Sequence, residues 1–448
     1  MRSGVRAAFC TQLLFVRTKR NFSAQLVELG AFLLTRQVIV LTLKQLTKLS
    51  TANLLNDENA RGIIFQALLL CAIGVGLYWL IDNTVTNLDN QGKSLGFDFL
   101  SSTAGFQISQ TFGTWLLDYE VGQSTYWDVY LIGIANTFLV AILGIIAATV
   151  IGFTMGIMRL SNNIIFKSFA TTYIEVLRNV PILLQLFFWY FAVLRAMPAK
   201  REKFELIPDV AGLNITGLYL PAPVPENGFG VVFLALLFSA LLVFFVRLWA
   251  KRKQEQTGQF IPIFWLSAAI FILIPTVAYF VMGSPLSWEF PEFKDTGPML
   301  RRGYQPGLGM LVVPEMLAVW FALSLYTAAF IAEIVRAGIL AVSKGQTEAA
   351  SALGLRPNFT LRLVVIPQAL RVIIPPLTSQ YLNITKNSSL AVAIAYPELV
   401  SVFAGTALNQ VGKEIEMIFM MMMVYLTFSL LTAAFMNWYN SKVKLVER

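Results

Sequence analysis

A positively charged and hydrogen-bonding run interrupts an apolar segment near the C-terminal end of the chain. Lys386 lies about 14 residues past the start of a helix predicted over 372–392. A cation at that depth costs about 2.5–3.5 kcal/mol on insertion scales, so it needs a compensating group. The chemistry on offer is charge pairing and hydrogen bonding to a polar solute. The residues that we assign to a substrate path are Gln380, Asn383, Lys386, Ser388, Ser389 and Glu398.

Two interpretations of Lys386 stay open. In one, the polar run lines a path through the membrane and the ammonium group meets a substrate carboxylate, because such a run cannot face lipid. In the other, Lys386 is half of a buried ion pair, with Glu398 or with a carboxylate of another subunit. Glu398 follows Pro397, so it either meets a substrate amino group or caps a short helix over 397–404.

Two more pairs of opposite charges lie near the ends of predicted spans. Glu175 with Arg178, and Glu333 with Arg336, are each three residues apart and so share a helix face. Near a membrane surface, pairing and the extension of long side chains toward water make such charges inexpensive. We interpret both as structural pairs.

The elements that position these residues are membrane helices. The chain has 448 residues, of which 56% are hydrophobic and only 13% charged, against roughly 25% charged in soluble domains. Apolar runs near 20 residues recur, each long enough for a hydrocarbon core of about 30 Å. We therefore predict an all-α polytopic membrane protein with about eight transmembrane helices. Their predicted ranges are 63–81, 129–158, 165–197, 228–249, 261–282, 312–335, 372–392 and 415–438.

The net charge of +9 could indicate nucleic acid, but most Lys and Arg residues lie in alternate loops between the apolar runs. This distribution follows the positive-inside rule and predicts that both termini are cytoplasmic, with no nucleic-acid partner. The chain has no histidine, the commonest general base and metal ligand. Its two cysteines, Cys10 and Cys71, predict neither a disulfide nor a metal site. We expect no cofactor.

The spans divide the chain into segments. Residues 1–60 are a basic extension that fits a cytoplasmic tail, a start assigned too far upstream or an organellar targeting peptide. Within the second span, Ala148, Gly152 and Gly156 form a face of small residues for close helix packing. The remaining segments are a first span with its outward loop (61–128), two core parts (129–197 and 312–440), an insertion with two spans (198–311) and a cytoplasmic tail (441–448).

One loop on the basic side, 344–367, is too polar to span the membrane. Its composition predicts a helix over 347–353, a break at Gly354, and a second helical stretch over 359–365 that ends at Pro367. Two short helices joined by a glycine elbow make a rigid knob for another protein. We expect a branched side chain at position 354 to clash within the elbow.

The loop resembles the EAA loop of ABC importer permeases. The resemblance rests on Glu348, Ala349 and Ala350, with Gly354 and Pro367 at the family's spacing. In that family the loop is a coupling helix that docks in a cleft of a separate ATPase subunit. Conservative changes occur at two further positions, where Val364 and Ile366 replace the usual Ile and Leu.

Other segments resemble the polar amino-acid branch of these permeases. They are the run from Tyr173 to Gln185, with Asn179-Val180 in place of Gly-Thr, the span 324–336, and 386–390. The resemblance covers about 57–448 and implies a five-helix core plus three extra helices, the long form found in the general L-amino-acid permease and the glutamate/glutamine/aspartate/asparagine permease. It implies as partners ABC ATPase subunits, a second homologous permease, a periplasmic amino-acid-binding protein, membrane lipid and an amino-acid substrate, in a bacterial inner membrane.

Three other functions are considered. A secondary amino-acid transporter would work without an ATPase, but no inverted repeat is visible and it leaves the EAA loop unexplained. A membrane enzyme lacks any nucleophile or paired-carboxylate signature, and no Walker A pattern occurs, so ATP hydrolysis would reside in partner subunits. A purely structural scaffold does not account for the polar, cationic run at Lys386. The sequence therefore favours an importer permease for polar amino acids.

Overall fold

The computed structural model describes residues 58–90, 96–258, 262–296 and 302–443, in two units, 1–94 and 95–448. In the first unit, helix α1 (Glu58–Asn90) contains an apolar stretch, Ile64–Asn87, long enough to cross a membrane. The sequence hypotheses about 1–56 lie outside the described residues.

The second unit contains the remaining elements. Its helices are α2 (Phe112–Leu116), α3 (Tyr126–Arg159), α4 (Ile164–Asn179), α5 (Ile182–Phe187), α6 (Phe229–Thr257), α7 (Ile263–Val281), α8 (Pro314–Leu340), α9 (Lys344–Ala352), α10 (Pro357–Thr360), α11 (Ile366–Asn387), α12 (Leu408–Val411) and α13 (Glu414–Val443). Its strands are β1 (Phe204–Ile207), β2 (Ala211–Asn214), β3 (Gly217–Leu220), β4 (Ala222–Pro225), β5 (Leu286–Glu289), β6 (Phe293–Lys294), β7 (Gly303–Tyr304) and β8 (Met310–Val312).

The number of membrane spans agrees with the prediction. Seven described helical stretches are long and apolar enough to cross a membrane, and a bent pair, α4 with the turns that end at Ala196, makes an eighth. The prediction of one continuous helix over 165–197 is wrong, since the chain bends there by 107°. Val180 has an extended conformation (φ −95°, ψ 127°) because the ring of Pro181 disfavours helical geometry in the preceding residue.

Helices α3 and α8 pack most closely, side by side and parallel. A Cβ added at Gly152 would lie 2.6 Å from Cβ of Ile331, and one added at Gly156 would lie 2.9 Å from Cβ of Val335. Only glycine permits this approach, so the small-residue face predicted from the sequence is the α3–α8 contact.

The helical path around α11 is broken rather than straight. The second stretch of the polar loop was predicted to end at Pro367, and this is wrong: α10 continues through a π-helical turn, Leu361–Val365, directly into α11. Pro367 lies in the first turn of α11, where a proline costs no helical hydrogen bond. After Asn387 the chain tightens into a 3-10 turn, reverses at Ala395 (φ +58°) and resumes as a π-helical stretch, Val400–Ala407.

Short strands flank the two helices of the insertion, for which the sequence predicts only spans. Strands β1, β2, β3 and β8 form an antiparallel sheet in that order, and β4–β5 and β6–β7 form two small ribbons. The rings of Tyr219 and Tyr304 stack with centroids 3.9 Å apart. Four-residue strands give too little alternation to be recognised in a sequence.

Candidate functional site

The predicted substrate-path residues do not all share one face. Asn383 and Lys386 are exposed on α11, one turn apart, and Ser379 continues their face. Gln380 and Ser389 are half-buried beside this face. Ser388 and Glu398 instead lie inside the protein, 1% and 0% exposed. The structure therefore exposes two of the six residues, Asn383 and Lys386, on one helix face, and it leaves two half-buried and two inside the protein.

Lys386 has no carboxylate of any described residue within ion-pairing distance. The pair with Glu398 that the sequence analysis left open is therefore absent from this chain. Lys386 lies in the last turn of α11, where an exposed ammonium group would be unfavourable against hydrocarbon. This face of α11 must consequently meet water, solute or another subunit.

Glu398 is held by three donors. The backbone N–H groups of Val400 and Ser401 donate to its carboxylate at 2.9 and 2.8 Å, and the Tyr425 hydroxyl donates at 3.1 Å. The carboxylate thus caps the N-terminal turn of the helical stretch after the break, as one of the two hypotheses for Glu398 proposed. Nearby, the Ser388 hydroxyl donates to the carbonyl of Thr385 at 2.7 Å.

Helix α3 anchors the same break. Asn136 Nδ2 donates to the carbonyl oxygen of Pro397 at 2.8 Å, and Thr137 Oγ1 accepts the Leu399 N–H at 3.1 Å. Both side chains are fully buried. The sequence analysis missed Asn136, Thr137 and Tyr425. A polar pair inside a strongly apolar span was the available signal for the first two.

The polar loop adopts the predicted helix–glycine–helix geometry. Gly354 has φ +76°, its N–H donates to the Ser351 carbonyl, and the Leu355 N–H donates to the Ala350 carbonyl. These two bonds form a Schellman cap, which needs a left-handed residue at the glycine position. The expected clash of a branched side chain is wrong, since a Cβ at Gly354 would meet open space; the strain would come from φ instead.

The outer surface of α9 is free in the described chain. Ala350 packs inward at 4% exposure, whereas Leu353 is 83% exposed and Glu348 and Ala349 are also exposed. Gln368 Nε2 donates to Gln346 Oε1 at 3.1 Å, which ties α9 to the first turn of α11 next to Pro367. This hydrogen bond links α9 to the helix that carries Lys386.

Charged side chains bridge the adjoining ends of α3, α4 and α8. Arg159 donates to Glu333 at 2.6 Å and to Glu175 at 3.1 Å. Arg336 pairs with Glu333, as the sequence predicts. The predicted Glu175–Arg178 pair is wrong: the Arg178 guanidinium lies 5.3 Å from the centre of the Phe330 ring.

No group of three or more His, Cys, Asp or Glu side chains that could hold a metal occurs among the described residues. The arrangement offers hydrogen bonding, charge and a broken helix, which suit the passage of a solute.

Comparisons with known proteins relate the chain to a family of transport proteins. Residues 256–445 match the family model described as "Binding-protein-dependent transport system inner membrane component". A putative amino-acid ABC transporter permease of Escherichia coli is 48% identical, covering 88% of this chain and 96% of that protein. A solved structure titled "Crystal structure of an amino acid ABC transporter with histidines" aligns with 75% of this chain and all of that chain, at 18% identity and a TM-score of 0.40.

Two further relatives also align along most of their length. The general L-amino acid transport system permease of Rhizobium johnstonii is 45% identical, covering 88% of this chain and 94% of that protein. The glutamate/glutamine/aspartate/asparagine transport system permease of Rhodobacter capsulatus is 38% identical, covering 88% and 96%. Over this coverage such identity establishes common descent: the chain belongs to the amino-acid ABC transporter permease family, as a multi-pass inner-membrane transport subunit.

Proposed function

We propose that this permease translocates polar L-amino acids, acidic or amide ones above all, across the inner membrane, driven by separate ATPase subunits. The observation that carries the proposal is Lys386, which lies exposed beside Asn383 on α11 and pairs with no described carboxylate. An ammonium group in a water-filled path attracts the α-carboxylate that every amino acid carries, and neighbouring amides supply hydrogen bonds to polar side chains. The relatives named for glutamate, glutamine, aspartate and asparagine support the same substrate class.

The coupling residues of the proposal are Glu348, Ala349, Ala350, Gly354 and Pro367. The exposed ridge of α9, with Leu353 outermost, suits a cleft on an ATPase subunit. The bond from Gln346 to Gln368 gives that subunit a direct mechanical link to α11. ATP-driven closure of two ATPases would then move the helix that carries the solute-binding face.

The remaining partners follow from the same geometry. The uncovered polar face of α11 needs a cover, and a second, homologous permease opposite it would close a path between the two chains. A periplasmic amino-acid-binding protein would deliver the solute to the outward ends of the spans. The excess of Lys and Arg on the α9 side supports cytoplasmic termini.

The test is reconstitution of the full chain with its partner subunits in proteoliposomes, followed by uptake of radiolabelled glutamate, glutamine and lysine. We expect uptake of glutamate and glutamine, and we expect it only when both ATP and the binding protein are present. Uptake driven by an ion gradient in the absence of ATPase subunits would instead establish a secondary transporter. Equal uptake of lysine would contradict the substrate class.

A further inference from the structure

Helices α6 and α7 form a hairpin within the second unit. The two helices pack on each other, and neither makes more than marginal contact with another described element of 95–448. Nearly all of their outward surface is apolar and exposed, while Ser239, Ala250 and Ser267 are buried between them. An apolar, exposed surface of this kind suits contact with lipid acyl chains.

One end of the hairpin concentrates positive charge. Arg247, Lys251, Arg252 and Lys253 lie within two turns of α6. The carboxylate nearest them along the chain is Glu255, whose Oε1 is 3.9 Å from Lys251 Nζ, an exposed contact of little strength. The end therefore keeps a net positive charge close to the membrane surface.

Aromatic side chains surround these cations at the same level. Trp249 on α6 is 53% exposed, and its ring lies 5.0 Å from Lys253 Nζ. Trp265 on α7 is 73% exposed and Phe264 is 70% exposed. Tryptophan rings of this kind mark the level of the lipid headgroups.

One nitrogen of the exposed Arg247 side chain is hydrogen-bonded to the neighbouring helix. Its Nε donates to the hydroxyl of Ser267 on α7 at 3.3 Å, and Ser267 is only 3% exposed. The two terminal nitrogens of the guanidinium have no partner among the described residues. A guanidinium that is bonded through Nε keeps both terminal nitrogens available for two parallel hydrogen bonds to a phosphate.

We propose that this end of the hairpin is a binding site for an anionic phospholipid of the inner leaflet, with Arg247 on the phosphate and Lys251, Arg252 and Lys253 around it. Charge complementarity selects the anionic headgroup, and the bare apolar flanks of α6 and α7 take the acyl chains. Each basic residue near a membrane surface strengthens such binding about fivefold. The positive-inside rule alone accounts for the basic residues, but not for the hydrogen bond between Arg247 and Ser267.

The test uses the assembled complex, purified in a neutral detergent and titrated with palmitoyl-oleoyl phosphatidylglycerol or with the phosphatidylcholine of the same chains. Bound lipid is counted by native mass spectrometry. The proposal expects preferential retention of phosphatidylglycerol, weakened about fivefold by Arg247→Gln and on the order of 25-fold when Arg252→Gln is added. Millimolar inorganic phosphate should not displace the lipid, since it lacks acyl chains.

Lys167→Gln is the matched control, because Lys167 is an exposed cation of α4 outside the hairpin. It should leave retention unchanged, while Ser267→Ala should weaken it without removing any charge. Thermal unfolding of each variant checks that the protein is correctly folded. Equal retention of the two lipids, or equal losses in Arg247→Gln and Lys167→Gln, would overturn the proposal.

Discussion

Replacement of Lys386 by methionine separates a solute-binding cation from a structural one. Lys386 is exposed on α11 and forms no ion pair with a described residue, so its removal leaves no described carboxylate stranded. Had it been half of a buried pair, the same change would have cost about 3–5 kcal/mol. We expect a change in the free energy of unfolding of no more than about 0.5 kcal/mol, as at other exposed positions.

Transport should respond differently. A hydrogen bond to a charged group contributes about 1.5–3 kcal/mol, so loss of the ammonium–carboxylate contact should lower uptake about 10- to 150-fold. Basal ATPase activity of the complex should survive, while its stimulation by the loaded binding protein should fall. Lys386→Arg keeps the charge and should retain a measurable part of the uptake.

The assay compares thermal unfolding with glutamine uptake for the same preparation of the assembled complex. Unfolding that shifts together with uptake would mean that Lys386 pairs with a carboxylate of another subunit. Unchanged uptake in Lys386→Met would refute both the substrate path and the ion pair.

Three further predictions concern other parts of the chain. Gly354→Val should lower substrate-stimulated ATPase activity in the assembled complex, because φ +76° costs a non-glycine residue about 1–2 kcal/mol. Gly354→Asn should keep most of this activity, since asparagine tolerates the conformation. Equal activity in the two variants would argue against a role for the glycine cap. Glu398→Gln should destabilise the protein by about 1–3 kcal/mol in chemical unfolding, since its new amide N–H₂ would face backbone donors. An unchanged unfolding midpoint would show that the cap formed by Glu398 is dispensable. Gly156→Ala should lower the free energy of unfolding by about 1–3 kcal/mol, because its Cβ would lie 2.7 Å from the Ala332 carbonyl oxygen. Gly76→Ala, in open space on α1, should not destabilise the protein. Similar unfolding of both variants would contradict the tight α3–α8 contact.

Several features of this protein follow from local sequence. Apolar runs about as long as the hydrocarbon core specify membrane helices wherever they occur, so the number of spans could be predicted. Gly354 ends α9 through its own left-handed backbone conformation, which depends on no distant residue. The spacing of Gly152 and Gly156 by itself indicates a close helix contact. Each of these signals is contained within a few turns of the chain.

The tertiary structure decided what depends on residues far apart in sequence. The break after α11 is fixed by Asn136 on α3 and Tyr425 on α13, and Arg159 on α3 reaches Glu333 on α8. Hydropathy cannot reveal such partners, because it records how apolar a segment is and not which neighbour it meets. Whether Lys386 is buried or exposed is a property of packing for the same reason. The sequence determined that a cation lies within a span, and only the arrangement of the helices left it without a carboxylate partner among the residues that the structure describes.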